Sequence, residues 1–380
     1  MMLMGFALIA GGGMGRAFLP LLSRDLDPSG FWVGFAMSSY HFARTFLEIP
    51  SGWISDKLGR RLPVIIGLGV GALGALLCSL ATSIGLLILG RSLWGIGAAL
   101  YFTNNLAFVI DLVQPELRGR ALGTMHSVEM LGNLFGQPVG AVLAEFIGFT
   151  AVFTVASLCI GCGFLFALGS RALKQIPIPA STSTRTIYSF HSILRNRGLI
   201  IISIIRMCRM ILTMGLMMTV FPLFLHDNIH LTVGLIGIAL TLRSIGFVFA
   251  TLLGGYLADR IGAKRTAILG IILESTAFLA FTLITQFPLI YGMAVIGGIG
   301  GGLFQIAVAV LMTQYVGQDQ VGTSVGVYRT FQDTGSVIGP MLMLFIIEST
   351  TMQTAFYTGI LIYGLITPLL WTLSRHQAAK

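Results

Sequence analysis

Apolar residues along this chain neither alternate nor form narrow amphipathic stripes. They come in long blocks separated by brief polar joints. A helix that crosses a bilayer needs about 20 mostly apolar residues. Blocks of that kind lie at 3–22, 32–54, 62–81, 84–110, 119–145, 149–170, 199–225, 232–256, 266–285, 288–313, 322–347 and 352–374. The pattern predicts an all-α membrane protein with twelve spanning helices, numbered in chain order. One joint is long. Residues 171–197, RALKQIPIPASTSTRTIYSFHSILRNR, hold prolines, Ser/Thr and five basic residues, and read as a linker. The chain is therefore expected to divide into a six-helix bundle at 1–170, a linker at 171–197 and a second six-helix bundle at 198–380.

A second pattern lies over the first. SGWISDKLGRR at 51–61 and GGYLADRIGAKR at 254–265 are alike, and Asp56 shifted by 203 reaches Asp259. The same shift carries Gly34, Gly52, Gly59, Gly67, Gly95, Gly97, Gly119, Gly123, Gly132 and Gly136 onto glycines. Ten of the 15 glycines between 34 and 136 are matched, where 48 in 380 residues give about two by chance. The halves are duplicates, expected to pack as two similar bundles around a central cavity. Each copy has an even number of spans, so both cross the membrane in the same direction.

Composition agrees that the bilayer is the main solvent. Only 10% of residues are charged, against roughly 25% in soluble domains, and the mean hydropathy is +0.90. The net charge of +9 is explained by topology. With the amino terminus inside, the inner joints and tail hold fifteen Lys and Arg, and the outer joints only Arg24. That asymmetry places both termini and the linker in the cytoplasm of a multi-pass cell-membrane protein. A nucleic-acid partner is not expected. Cys78, Cys159, Cys162 and Cys208 lie in apolar blocks and read as small buried helix residues, not as a metal or redox set. The glycine-rich runs GGGMG and GGIGGG sit inside spans with no phosphate-loop lysine after them. Neither an enzyme nor a cofactor is expected.

The paired loops resemble the G-x-x-x-D-[RK]-x-G-[RK]-[RK] element of the major facilitator superfamily, which lies between spans 2 and 3 and again between spans 8 and 9. GRSLWGIG, with Arg91, Gly95 and Gly97, resembles that family's fourth-span element. Gly123, Gly132 and Gly136 resemble the glycine frame of its drug–proton antiporters, although Pro138 comes one place later than in that pattern. The resemblance covers the whole chain. It implies alternating access, small-solute transport by a monomer, and a cavity lined by spans 1, 4, 7 and 10.

The loop residues suit an inner gate. Gly52, Gly59, Gly255 and Gly262 allow close approach and sharp turning. Asp56 and Asp259 can cap a helix or pair with arginine, and Arg60, Arg61 and Lys264 hold the loops at the anionic surface. The second copy has Ala263 where the first has Arg60, so the first is expected to matter more.

Ionisable groups inside a membrane are costly and point to function. On span 5, His126, Glu129, Asn133 and Gln137 share a face. The equivalent face of span 11 carries Arg329, Gln332 and Ser336, with Asp333 beside Arg329. Burial disfavours the charged form of a carboxyl, the property a proton carrier needs. Glu129 is the candidate carrier, with His126 as relay and with Arg91, by resemblance, in coupling. Span 4 aligns Arg91, Trp94, Tyr101 and Asn105. On span 2, Arg44 and Glu48 are spaced as a structural pair, as are Arg329 and Asp333 on span 11. Met214, Met217 and Phe221 on span 7 suggest an adaptable apolar wall, and Gln305 on span 10 joins the cavity set. Arg206 and Arg209 are expected to snorkel to the inner surface, Glu274 to be peripheral, and Arg16 to meet substrate or lipid headgroup.

These readings lead to a secondary transporter of a small organic solute, drug-like or metabolic, exported in exchange for protons. The alternative is proton-coupled uptake or exchange of an anionic metabolite such as a sugar or organic acid. The expected partners are a small-molecule substrate, protons and the lipid bilayer.

Overall fold

The computed structural model describes residues 2–16, 18–112, 118–170, 196–283, 286–315 and 321–373. Within these, the side chains of 49, 52–53, 55–58, 106–112, 118–123, 126–127, 287, 313 and 321–326 lie outside the description. So do the linker and the expected roles of Gly52, Asp56 and His126.

Every described element is helical. Span 1 is a broken pair, Met2–Arg16 and Leu19–Leu26. Spans 2 to 6 are Gly30–Leu58, Arg61–Ser79, Ile84–Leu112, Arg118–Phe146 and Phe149–Gly169. Span 7 runs from Arg197 to Asp227 in three pieces. Spans 8 to 12 are Val233–Ile261, Ala263–Leu283, Phe287–Thr313, Val321–Ser349 and Met352–Thr372. Among the described residues nine helices are long and apolar enough to cross a membrane, ten if the broken pair counts as one. The helices Gly30–Leu58 and Arg118–Phe146 are 29 residues each and carry the charged faces read from the sequence.

Two compact units emerge: Met1–Ser183 with Leu231–Gly237, and Thr184–His230 with Ile238–Lys380. Their outward faces carry large apolar side chains, such as Leu165 and Phe135 in the first unit and Leu252, Phe345 and Trp371 in the second. In water such surfaces would aggregate; in lipid they are the solvated face. Trp94, Tyr101, Phe153 and Ile160 fill the core of the first unit.

The duplication is visible as matched contacts. A methyl group on Gly95 would lie 2.1 Å from the Tyr40 carbonyl oxygen, and one on Gly298 would lie 2.0 Å from that of Arg243. Both pairs differ by 203, so spans 2 and 4 touch backbone to backbone as spans 8 and 10 do. Small residues at such crossings let helices approach without side chains between them. Against spans 1 and 7 the register changes by two. Gly132 meets the Phe6 carbonyl and Gly335 meets that of Met207, a shift of 201 along the partner helix. The loop glycines also match: Gly59 has φ 81° and Gly262 φ 92°, each just after the end of its span. Only glycine adopts that backbone without cost.

Span 7 departs from the expected helix. Ile211–Val220 is π-helical, with the Phe221 amide donating to the Leu216 carbonyl five residues back. The face assumed at 100° per residue is therefore not formed. Met217 and Phe221 are buried, Phe221 against Phe281 at 4.6 Å between ring centres. Met214 is half-buried.

Candidate functional site

In the first unit, spans 1, 4 and 5 bring a carboxylate into the core. Glu129 is only 8% exposed, and Tyr101 and Asn105 are fully buried beside it. Asn105 Nδ2 donates to Glu129 Oε1 at 3.5 Å and lies 3.1 Å from Met125 Sδ. Gly5 on span 1 closes over the group. A methyl there would lie 3.1 Å from the Tyr101 hydroxyl and 3.4 Å from Glu129 Oε1. Asn133, one turn on, packs against Gly13, and Gln137 is buried.

A second cluster in this unit is cationic. Arg44 donates to Glu48 at 2.8 Å, the structural pair the spacing suggested. Arg91 is 5% exposed, with its guanidinium 5.0 Å from the Tyr40 ring centre and 5.8 Å from that of Trp94. The Trp94 backbone packs against Gly74, and its side chain is buried in the core beneath Arg91.

The second unit treats charge differently. Arg209 is 1% exposed and Glu274 fully buried, joined at 2.8 Å. Tyr363 donates to the same carboxylate at 2.5 Å, accepts from Arg209 at 2.8 Å, and Arg243 approaches the other carboxylate oxygen at 3.5 Å. Arg206 is 7% exposed and donates twice to Gln332 Oε1, at 2.7 and 3.0 Å, and once to Gln305 Oε1. Snorkelling of Arg206 and Arg209 is thus overturned, because both are buried and donate to acceptors on other helices of the bundle. Glu274 is central, not peripheral. The pair Arg329–Asp333 is also not formed among the described residues. Arg329 is exposed, whereas Asp333 is buried and acts electrostatically on Arg206.

The gate loops are placed in part. Arg60 and Arg61 are half-buried at the start of span 3. Asp259 is exposed, with no ion pair among the described residues, and Lys264 donates to the Leu373 carbonyl. A methyl on Gly255 would meet nothing within 4 Å, so close approach is not its role. Cys78 is buried, but Cys162 is exposed on the outward face and Cys159 half-buried.

A family model described as Major Facilitator Superfamily matches residues 1–220 and 207–380. The chain belongs to that superfamily. It is a membrane transporter with the superfamily's twelve-helix, two-bundle fold, and not an enzyme. Its relatives include an uncharacterized MFS-type transporter, YceJ, of Bacillus subtilis (strain 168), 25% identical over 90% of this chain and 91% of that one. Multidrug resistance protein 1 of the same organism is 24% identical over 99% of this chain and 96% of its own length. Among solved structures, a bacterial homolog of the human lysosomal transporter Spinster, inward-facing and occupied, aligns with TM-score 0.82 at 16% identity, covering 99% and 96% of the two chains. The nucleoside transporter NupG aligns with TM-score 0.80 at 14% identity, covering 99% and 98%. These two likenesses speak to fold. As a superfamily transporter, the chain carries a small molecule.

Sequence reasoning missed the Arg209–Glu274–Tyr363–Arg243 network. A signal was available: two arginines and a carboxylate lie in three consecutive apolar blocks, too deep for all of them to reach water.

Proposed function

We propose that this transporter exports a small organic solute in exchange for protons, and that Glu129 carries the proton. The supporting observation is a carboxylate buried in the core of the first unit beside Tyr101, Asn105 and Gly5. Taking a carboxylate out of water favours its protonated form. The multidrug resistance relatives agree with export of organic solutes. Arg91, held against Tyr40 and Trp94, supports the same face of span 4. The lysine and arginine distribution puts both termini and the 171–197 linker in the cytoplasm, and the Asp56 and Asp259 loops act there as an inner latch.

Proton release tests the reading directly. Lipophilic cations, neutral drugs and organic anions are added in turn to the purified protein in weak buffer. At least one should displace about one proton per chain, and Glu129→Gln should displace none. Undiminished release from Glu129→Gln would remove Glu129 from the mechanism.

A further inference from the structure

Apart from Arg91, the cationic cluster of the first unit has no part in this proton pathway, and among the described residues it holds one ion pair, Arg44–Glu48. Arg16 ends the first helix, Arg44 lies on span 2 and Arg91 on span 4; Glu48 pairs with Arg44, and among the described residues no ion pair joins Arg16 or Arg91 to a carboxylate. Between them lies His41, whose ring stands edge-on to Tyr40 at 5.0 Å. Arg44, Arg16 and Arg91 all act electrostatically on that imidazole, and Arg16 acts on Arg91. Arg16 interacts electrostatically with Tyr40 and Arg44, His41 with all three arginines, and Arg91 with Cys78, Arg16 and Tyr40; among the described residues no carboxylate acts on any of the three. The other acid of this core, Glu129, is engaged by Asn105 and Tyr101.

Polar atoms in the cluster also lack partners. His41 Nδ1 and Arg91 Nε are buried without a hydrogen bond among the described residues. Arg91 spends its flat faces on Tyr40 and Trp94. What remains is its in-plane N–H edge, the part of a guanidinium that matches a carboxylate fork. Three like charges brought this close repel unless something neutralises them, and a buried donor without an acceptor is costly. Arg16 and His41 are half-buried, so the cluster is reachable. Aromatic walls at Tyr40, Trp94 and Phe102 complete it.

We propose that Arg16, His41 and Arg91 form a recognition site for the anionic group of an amphipathic solute, a carboxylate on an apolar or aromatic body. The inference rests on the chain being a solute transporter and names the class of solute. An anionic lipid headgroup has the same recognition chemistry; the half-buried, aromatic-walled setting favours a free solute.

The test is binding of 2-naphthoate and of its neutral isostere 2-naphthamide to the purified full-length protein, by calorimetry. Naphthoate should bind at least about tenfold more tightly, and Arg16→Gln or Arg91→Gln should bring the two within about threefold of each other. If Arg91→Gln fails to fold, the half-buried Arg16 carries the test. Equal binding of the two probes, or a preference unchanged in the folded variants, overturns the site. Nanodiscs of phosphatidylglycerol and of phosphatidylcholine separate the two sources. Equal naphthoate binding in both supports a free solute, whereas suppression by phosphatidylglycerol alone gives the site to a headgroup and overturns the solute assignment. Loss of the preference with solute-induced proton release intact sinks this site and spares the exchange mechanism. Preference retained with no proton release does the reverse.

Discussion

The two halves share a scaffold and disagree about charge. Where Gly5 of span 1 lies over Glu129, the equivalent place in the second half has Arg206 of span 7 on Gln332. One half buries a carboxylate beside Tyr101 and Asn105, and the other an arginine hydrogen-bonded to Gln332 and Gln305. The reverse holds one layer away. Leu8, Gly71 and Ile160 meet as an apolar contact in the first half. Their counterparts Arg209, Glu274 and Tyr363 form the hydrogen-bonded network of the second. Duplication supplied one set of helix contacts, and substitution then put a buried carboxylate into one copy and a buried ion network into the other. Packing is set by backbone contacts at glycine, so it tolerated both.

The comparison breaks most visibly at Glu274. Glu274→Ala leaves Arg209 and Arg243 buried without their carboxylate, and should cost about 3–5 kcal/mol of stability. Glu129→Gln keeps its shape and its neighbours, and should cost under about 1.5 kcal/mol. Thermal unfolding in detergent measures both, and similar losses would show that the halves do not divide the work in this way. Next come the matched crossings. Gly95→Ala and Gly298→Ala each push a methyl into a backbone carbonyl, for about 1–3 kcal/mol of overpacking each. Equal effects support a common scaffold; a loss in one half alone breaks it. The smallest effect is at the loops. Gly59→Ala and Gly262→Ala force a side chain into the left-handed region, at about 1–2 kcal/mol each. If the first loop is the working latch, Gly59→Ala should slow transport more than Gly262→Ala at matched stability.

Fold was largely legible in the sequence because the bilayer imposes long apolar blocks and because duplication repeats its glycines. Gly59 and Gly262, Gly95 and Gly298 were visible as pairs before their contacts were. Side-chain chemistry was legible where helical spacing carried it. The burial of Glu129 and the Arg44–Glu48 pair follow from that spacing. The Glu274 network joins side chains 65 and 89 residues apart, beyond any local period. Arg206 and Arg209 misled because the ends of a span invite a snorkelling reading, and that reading ignores acceptors on other helices. The methionine face failed because π-helical winding between Ile211 and Val220 changes the angle per residue.

The central claim is that Glu129, not the second-half network, couples protons to solute movement. Proteoliposomes holding a transported solute and an imposed pH gradient measure it, with solute exchange at equal pH as the control. Glu129→Gln should lose gradient-driven efflux to the level of empty liposomes while retaining exchange within about threefold of wild type. Gradient-driven efflux that survives in Glu129→Gln would contradict the account.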